Sequence, residues 1–271
     1  MLHVATVHYK SPRWIEIQAR HLRDHIAVPF QTWTSLEEID PAYGVHFDHV
    51  IEQRGEHAGK LNHLAIEISG EAAEDDLIMF LDGDAFPIAD PMPTITRGLA
   101  NASMVAVRRS ENLMEPQPHP CFTVTTVGTW RSLPGDWSAG FTWPGPRGGP
   151  RSDVGGNLLR TLELTKTPWV ELLRSNRTNL DPIYFAIYGG ILYHHGAGFR
   201  AGDPSGVHRT TQAPAPLRVP SIPGLGRVMA AVNGRRLRAW ARRTQAGRIE
   251  LSNEVFDEIQ AGGSGWLAKL M

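Results

Sequence analysis

From Leu2 to Val7 the chain is short, apolar and β-branched, a polar turn follows at Lys10 to Pro12, and a helix-like stretch runs from Trp14 to His25. This pattern predicts strand, loop, helix. Further strands are predicted over Pro29 to Trp33 and His46 to Ile51. The next run, "GKLNHLAIEISGEA", has Leu61, Leu64, Ala65 and Ile68 at helical spacing. It gives way after "EDD" to "LIMFL", a continuous apolar run of the kind that forms a central strand covered on both faces. Repeated alternation of strand and helix predicts an α/β fold, an open sheet with mostly parallel strands.

After Pro93 the pattern changes. "SMVAVRR" and "CFTVTTVGTW" each predict a strand, and Trp130 to Arg151 is irregular, with Trp137, Trp143 and a Gly-Pro cluster. Such a loop either shapes a surface site or is pinned by its own tryptophans. "DVGGNLLRTLELTK" predicts a helix with an acidic N-terminus at Asp153, and "DPIYFAIYGGILYHHGAGFR" a short strand running into a glycine-rich turn. Pro214, Pro216, Pro220 and Pro223 mark a linker-like stretch, and Arg227 to Arg243 is basic with Leu237, Ala239 and Trp240 interleaved. No Asp or Glu occurs between Asp203 and Glu250. That local arginine excess suits a phosphate-bearing or membrane-surface partner, or simply a solvated helical face. The expected divisions are 1–115, 116–205 and a C-terminal extension, 206–271.

Composition narrows the class without choosing a function. The chain has 271 residues, 41% hydrophobic and 20% charged, values of an ordinary soluble globular protein. A formal net charge of -1 argues against nucleic acid as a partner of the whole chain. Cys121 is the only cysteine, so no internal disulfide forms, and a packed residue is expected there. No stretch reaches the roughly 18 to 20 apolar residues that span a bilayer, and the N-terminal residues lack signal-peptide character. A cytoplasmic protein is the expectation.

The central chemical feature is Asp82-Gly83-Asp84, directly after the apolar strand. Positions two apart on a strand share a face, so both carboxylates can approach one cation or one substrate. Gly83 leaves the backbone open to close approach. Ligands of open α/β sheets bind beyond the carboxyl ends of the strands, where this pair sits. A hard cation such as Mn2+ or Mg2+ prefers oxygen ligands and bridges carboxylates to substrate phosphates.

The run "GEHAGKLNHLAIEISGEAAEDDLIMFLDGDAFPI" resembles the GT-A nucleotide-sugar glycosyltransferases, with order and spacing kept over most of residues 1–90. The resemblance implies a Rossmann-like GT-A sheet and a metal-dependent hexosyl transfer from a UDP- or GDP-sugar to a small-molecule, glycan or lipid-linked hydroxyl. It implies a donor-binding half over 1–115 and an acceptor-binding, metal-completing half over 116–205. Thr6, His8, Lys60, Asn62, Asp82, Gly83 and Asp84 are then the donor-binding candidates, with Asp82 and Asp84 also on the metal. Lys60 reads equally as a solvated lysine at a helix start, and Asn62 as a local cap.

Three further features bear on the resemblance. "YHHGAGFR" places His194 and His195 ahead of a glycine turn, where similar enzymes take a third metal ligand. Neighbouring strand residues face opposite ways, so one of the two should meet the metal. His195 is favoured by its spacing to Gly198, and Arg200 is a candidate phosphate contact. Asp153 resembles the acceptor-side carboxylate that acts as base in inverting members, and it also fits an ordinary helix cap. Trp130, Trp137 and Trp143, with His119, are the expected acceptor wall, since indole faces suit sugar rings. Three alternatives compete: a sugar nucleotidyltransferase, a haloacid-dehalogenase-like phosphatase and a non-catalytic sugar-nucleotide-binding module. The first lacks a Gly-rich triphosphate loop at "TVHYKSPRW", and the second would place its Asp motif on the opening strand.

Overall fold

The computed structural model describes residues 1–145, 149–181, 183–196, 213–217 and 225–271. The first half of the chain forms β1 (Leu2–Tyr9), α1 (Ile15–His25), β2 (Phe30–Glu37), β3 (His49–Ile51), α2 (His57–Glu71), β4 (Leu77–Asp82), β5 (Ala85–Pro87), α3 (Met92–Leu99), β6 (Met104–Val107), β7 (His119–Thr126) and α4 (Val127–Ser132). Then come β8 (Trp143–Pro144), β9 (Pro150–Arg151), α5 (Gly156–Thr165), β10 (Val170–Leu172), β11 (Ala186–Tyr188), β12 (Leu192–His194), α6 (Leu225–Gln260) and α7 (Gly265–Ala268). A seven-stranded sheet has the order β10-β6-β7-β4-β1-β2-β3, and only β7 runs against the others. Strands from both sides of residue 115 share it.

β4 lies at the middle of this sheet because it has apolar side chains for both faces. Ile78 and Phe80 enter one core with Leu61, Leu64 and Ile68 of α2, while Met79 and Leu81 enter the other with Val4 and Val124. Each such side chain contributes roughly 1.5 to 3 kcal/mol by leaving water. The carboxyl end of β4 is thereby fixed from two sides, and Asp82 is its last residue.

Several expected boundaries move for local reasons. The apolar run "CFTVTTVGTW" divides after Thr126, whose hydroxyl accepts from the Thr129 N–H and starts α4. The run before the histidines is a hairpin, β11 to β12, turned by Gly189 and Gly190 at φ +57° and +70°. His46 ends a 3-10 turn over Pro41–His46 and lies outside β3. Asp153 precedes α5, which starts after Gly155 in the left-handed region, and its carboxylate accepts from Val154 N–H instead of capping the helix.

A second sheet, β11-β12-β5, packs Phe86, Phe185 and Tyr193 against Phe256, Ile259, Trp266 and Leu270 of the C-terminal helices. Arg248 of α6 pairs with Asp181 at 3.0 Å, both buried. The expected linker falls partly outside the described residues. No described side chain of α6 before Arg248 is buried, so its arginine-rich half is a solvent-facing helix. Among the described residues no helix is long and apolar enough to cross a membrane.

Candidate functional site

Asp82 and Asp84 open onto a cavity of about 510 Å³ at the carboxyl ends of β1 and β4. The turn between them is held from below by Gln18, a polar residue in the buried stripe of α1. Its amide nitrogen donates to the carbonyls of Asp82 (2.8 Å) and Ala85 (2.7 Å). Its carbonyl oxygen lies 3.1 Å from the Thr6 hydroxyl, which donates to it, and 3.2 Å from His8 Nε2. Gly83 is required by a close approach: a Cβ there would lie 2.6 Å from the Val7 carbonyl and 2.7 Å from His8 Nδ1.

β12 delivers the third ligand candidate. It pairs antiparallel with β5, His194 opposite Ala85, and the His195 N–H donates to the Asp84 carbonyl at 3.0 Å. This register places His194 Nε2 at 3.5 Å from Asp82 Oδ2 and 3.4 Å from Asp84 Oδ1. One ligand atom from each of these three residues lies within 4.8 Å of the others. The preference for His195 is therefore reversed. Strand alternation sends its ring the other way, between the Tyr193 hydroxyl (2.8 Å) and Ser252 Oγ of α6 (2.7 Å).

Two more histidines surround Asp82. His57 Nε2, at the start of α2, lies 3.1 Å from Asp82 Oδ1, and His119 Nδ1 of β7 lies 3.9 Å from Oδ2. Burial works to raise the Asp82 pKa, but the His57 hydrogen bond and the fields of His57, His119 and His194 outweigh it and hold the carboxyl well below the usual range. Asp84 is also lowered, burial again being overcome, chiefly by His194. Both oxygens are thus anionic at neutral pH.

The other expected residues divide. His8, Asp153 and His119 line the cavity. Thr6 is fully buried with its hydroxyl committed to Gln18, so it supports the site from beneath. Lys60 is buried and ion-paired with Glu37, under the Tyr9 ring; it braces the wall and is not free for a phosphate. Asn62 is spent on the loop that follows α4, donating to Asp136 and accepting from the Trp137 N–H, both at 2.8 Å. Trp130 and Trp137 pack on Phe80 in the core, with ring centroids 4.7 and 5.0 Å from it, and Trp143 is buried in the β8–β9 ribbon. None of the three lines the cavity; for Trp130 and Trp137 the large apolar volume beside Phe80 offers an indole more than an open cleft does. Arg200 and Gly198 lie outside the described residues. Gln18, His57 and Arg109 are site residues that the motif analysis passes over. Only Gln18 carries a local signal, an amide within an apolar helical stripe.

Burial has a second consequence. It pushes His8 down to about 4 and His195 down to about 3. Unfolded histidines titrate near 6.5, so between that pH and these lowered values the unfolded chain binds more protons. The stabilising contribution is complete above about pH 6.5 and is lost as pH falls through about 4 for His8 and about 3 for His195. Urea midpoints measured from pH 7 to pH 4 should fall steadily, each histidine contributing up to about 1.4 kcal/mol per pH unit. A midpoint that is flat over that window would contradict their neutral burial.

No protein-family model and no curated protein matches the chain. Among solved structures, S. aureus TarS in complex with UDP-GlcNAc aligns at 11% identity and TM-score 0.38, over 51% of this chain and 48% of that one. Mannosyltransferase PcManGT from Pyrobaculum calidifontis, in complex with GDP-Man and Mn2+, aligns at 13% identity and TM-score 0.38, over 51% and 47%. The galactosyltransferase LgtC with donor and acceptor sugar analogues aligns at 9% identity and TM-score 0.33, over 48% and 59%. The chain thus spans about half the length of each of these.

Proposed function

We propose that this chain is a GT-A-type glycosyltransferase that takes a sugar from a UDP- or GDP-linked donor with the help of a divalent cation, Mn2+ or Mg2+. One observation carries the reading: Asp82, Asp84 and His194 converge within 4.8 Å at the carboxyl end of the central strand. The donor set fits such a cation, since two anionic carboxylates and one imidazole suit Mn2+ in particular. Asp82, Asp84 and His194 would hold it, and it would supply Lewis-acid stabilisation of the departing diphosphate.

The chain's own residues do the rest. Gln18 fixes the turn that carries both carboxylates, and His57 keeps Asp82 ionised and oriented. His8 and Tyr9, at the end of β1, flank the cavity on the side assigned to the nucleotide. Asp153, which also lines the cavity, is the proposed base for the acceptor hydroxyl, which implies inversion at the anomeric carbon. The arginine-rich half of α6 is a proposed peripheral contact with an anionic membrane surface.

Calorimetric titration of UDP and GDP, with and without Mn2+, tests the reading. One of the two should bind in a metal-dependent manner, and at a hundredfold excess over Kd it should stabilise the fold by about 2.7 kcal/mol. Asp84→Ala should bring binding down to the metal-free level. Equal affinity with and without metal in the unaltered chain would reject the proposal, and turnover of simple phosphate esters would favour a phosphatase.

A further inference from the structure

One wall of the cavity carries a guanidinium whose field is met by neighbouring carboxylates but whose N–H groups are not matched by acceptors. Arg109 follows the end of β6 and lines the cavity beside His119 and Asp153. Its Nη1 lies 3.0 Å from His119 Nε2, while the backbone N–H of Cys121 points at Nδ1 of the same ring from 3.1 Å. A neutral imidazole offers one in-plane lone pair and an imidazolium none. Two donors therefore meet a ring that accepts from one at most, whatever its tautomer or charge. Cys121 N–H is fixed within β7, so Arg109 is the partner left over.

The rest of the guanidinium is no better served. Arg109 Nε is shielded from solvent and has no acceptor. The carboxylates whose fields reach it make no hydrogen bond to it: Glu111 Oε1 accepts from the Tyr188 hydroxyl and Glu115 Oε1 from Asn112, both at 2.6 Å, and the Oε2 of each is itself buried without a partner. Gln117, close behind in the same segment, is buried with both amide atoms unpartnered. Leu113 and Met114 between them hold positive φ values of 59° and 60°, so this segment is also strained. Unsatisfied buried donors and backbone strain together oppose folding, and such features cluster where a ligand completes the structure.

Sheet order says which ligand. Arg109 and His119 belong to the β6–β7 side of β4, whereas His8 and Tyr9 belong to β1 on its other side. With the nucleotide on the β1 side, Arg109 faces the molecule that receives the sugar. We infer that Arg109 anchors an oxyanion on the acceptor, carboxylate or phosphate, so that the acceptor is an acidic hydroxyl compound and not a neutral one. This rests on the glycosyltransfer reading for the word acceptor, and on Arg109 alone for the oxyanion. A guanidinium fork matches both groups, since each presents two coplanar oxygens.

The test titrates glucose, glucuronate and glucose 6-phosphate into the intact 271-residue chain, once with Mn2+ and UDP or GDP bound and once without nucleotide. At least one charged sugar should bind about tenfold or more tightly than glucose, as expected for a charge-assisted bidentate contact; which one does so distinguishes carboxylate from phosphate. Arg109→Gln should reduce the charged probes to the level of glucose while leaving nucleotide affinity within about twofold. Equal binding of charged and neutral sugars, or unchanged charged-probe affinity in Arg109→Gln, overturns the inference. So does a tenfold loss of nucleotide affinity in that variant, which would make Arg109 a donor contact. Should Arg109→Gln lack a cooperative thermal transition, Arg109→Lys decides: about tenfold weaker charged-probe binding supports the fork contact, and no change overturns it. Absence of metal-dependent nucleotide binding, with the charged-sugar preference kept, rejects the glycosyltransfer reading and leaves the oxyanion site standing.

Discussion

In a His194→Ala variant, metal affinity and nucleotide-sugar turnover are expected to fall together, turnover by on the order of a thousandfold. That figure corresponds to losing several kcal/mol of Lewis-acid stabilisation at about 1.4 kcal/mol per factor of ten. His195→Ala should behave differently. His195 contributes its backbone N–H to the Asp84 carbonyl, which alanine keeps, while its ring joins Tyr193 to Ser252 and packs on Trp14. Its loss should destabilise the fold by about 1 to 3 kcal/mol through the two polar groups left unpartnered, and lower metal affinity far less. Calorimetry with Mn2+ and release of nucleotide diphosphate from the sugar donor measure both. The reverse pattern, with His195 essential to metal and His194 dispensable, would reject the assignment.

Trp137→Ala is expected to cost about 3 to 5 kcal/mol of stability, a large share of what a domain of this kind possesses. The side chain is fully buried, its ring meets Phe80 edge-on at 5.0 Å, and its neighbour Trp130 stacks at 5.7 Å. Phe80 lies two residues before Asp82 on the same strand face, so the cavity left behind would also loosen the carboxylate end of β4. Urea midpoints should shift strongly, and any loss of turnover should follow the folded fraction. Full stability combined with altered acceptor preference would return the indole to the cleft wall, where composition alone had suggested it.

Arg109 shows the same dependence on context from the opposite direction. In "AVRRSENLMEPQPHPC" it reads as one of two adjacent arginines at a strand end. Arg108 donates to the exposed Glu171 and to the Glu115 carbonyl, as a surface arginine does, whereas Arg109 turns inward toward His119. Both follow the end of β6, and where the chain leaves the strand is set by the β6–β7 register, which is irregular between Ala106 and Val107.

Taken by itself, the order of amino acids determined those features that depend on neighbours a few positions away. They are the apolar run of β4 with a carboxylate at its end, the helical stripe of α2, the alternation that makes an α/β sheet, and the spacing that sets Asp82 and Asp84 on either side of a glycine. Only the tertiary structure decided which histidine joins them, that His57 and His119 flank Asp82, that Lys60, Asn62 and the three tryptophans are taken up by internal bonds and packing, and that Arg109 Nε lacks an acceptor. The reason is physical. Periodicity records which face of an element a side chain occupies, but the partner it meets there is set by strand register and packing between segments many tens of residues apart.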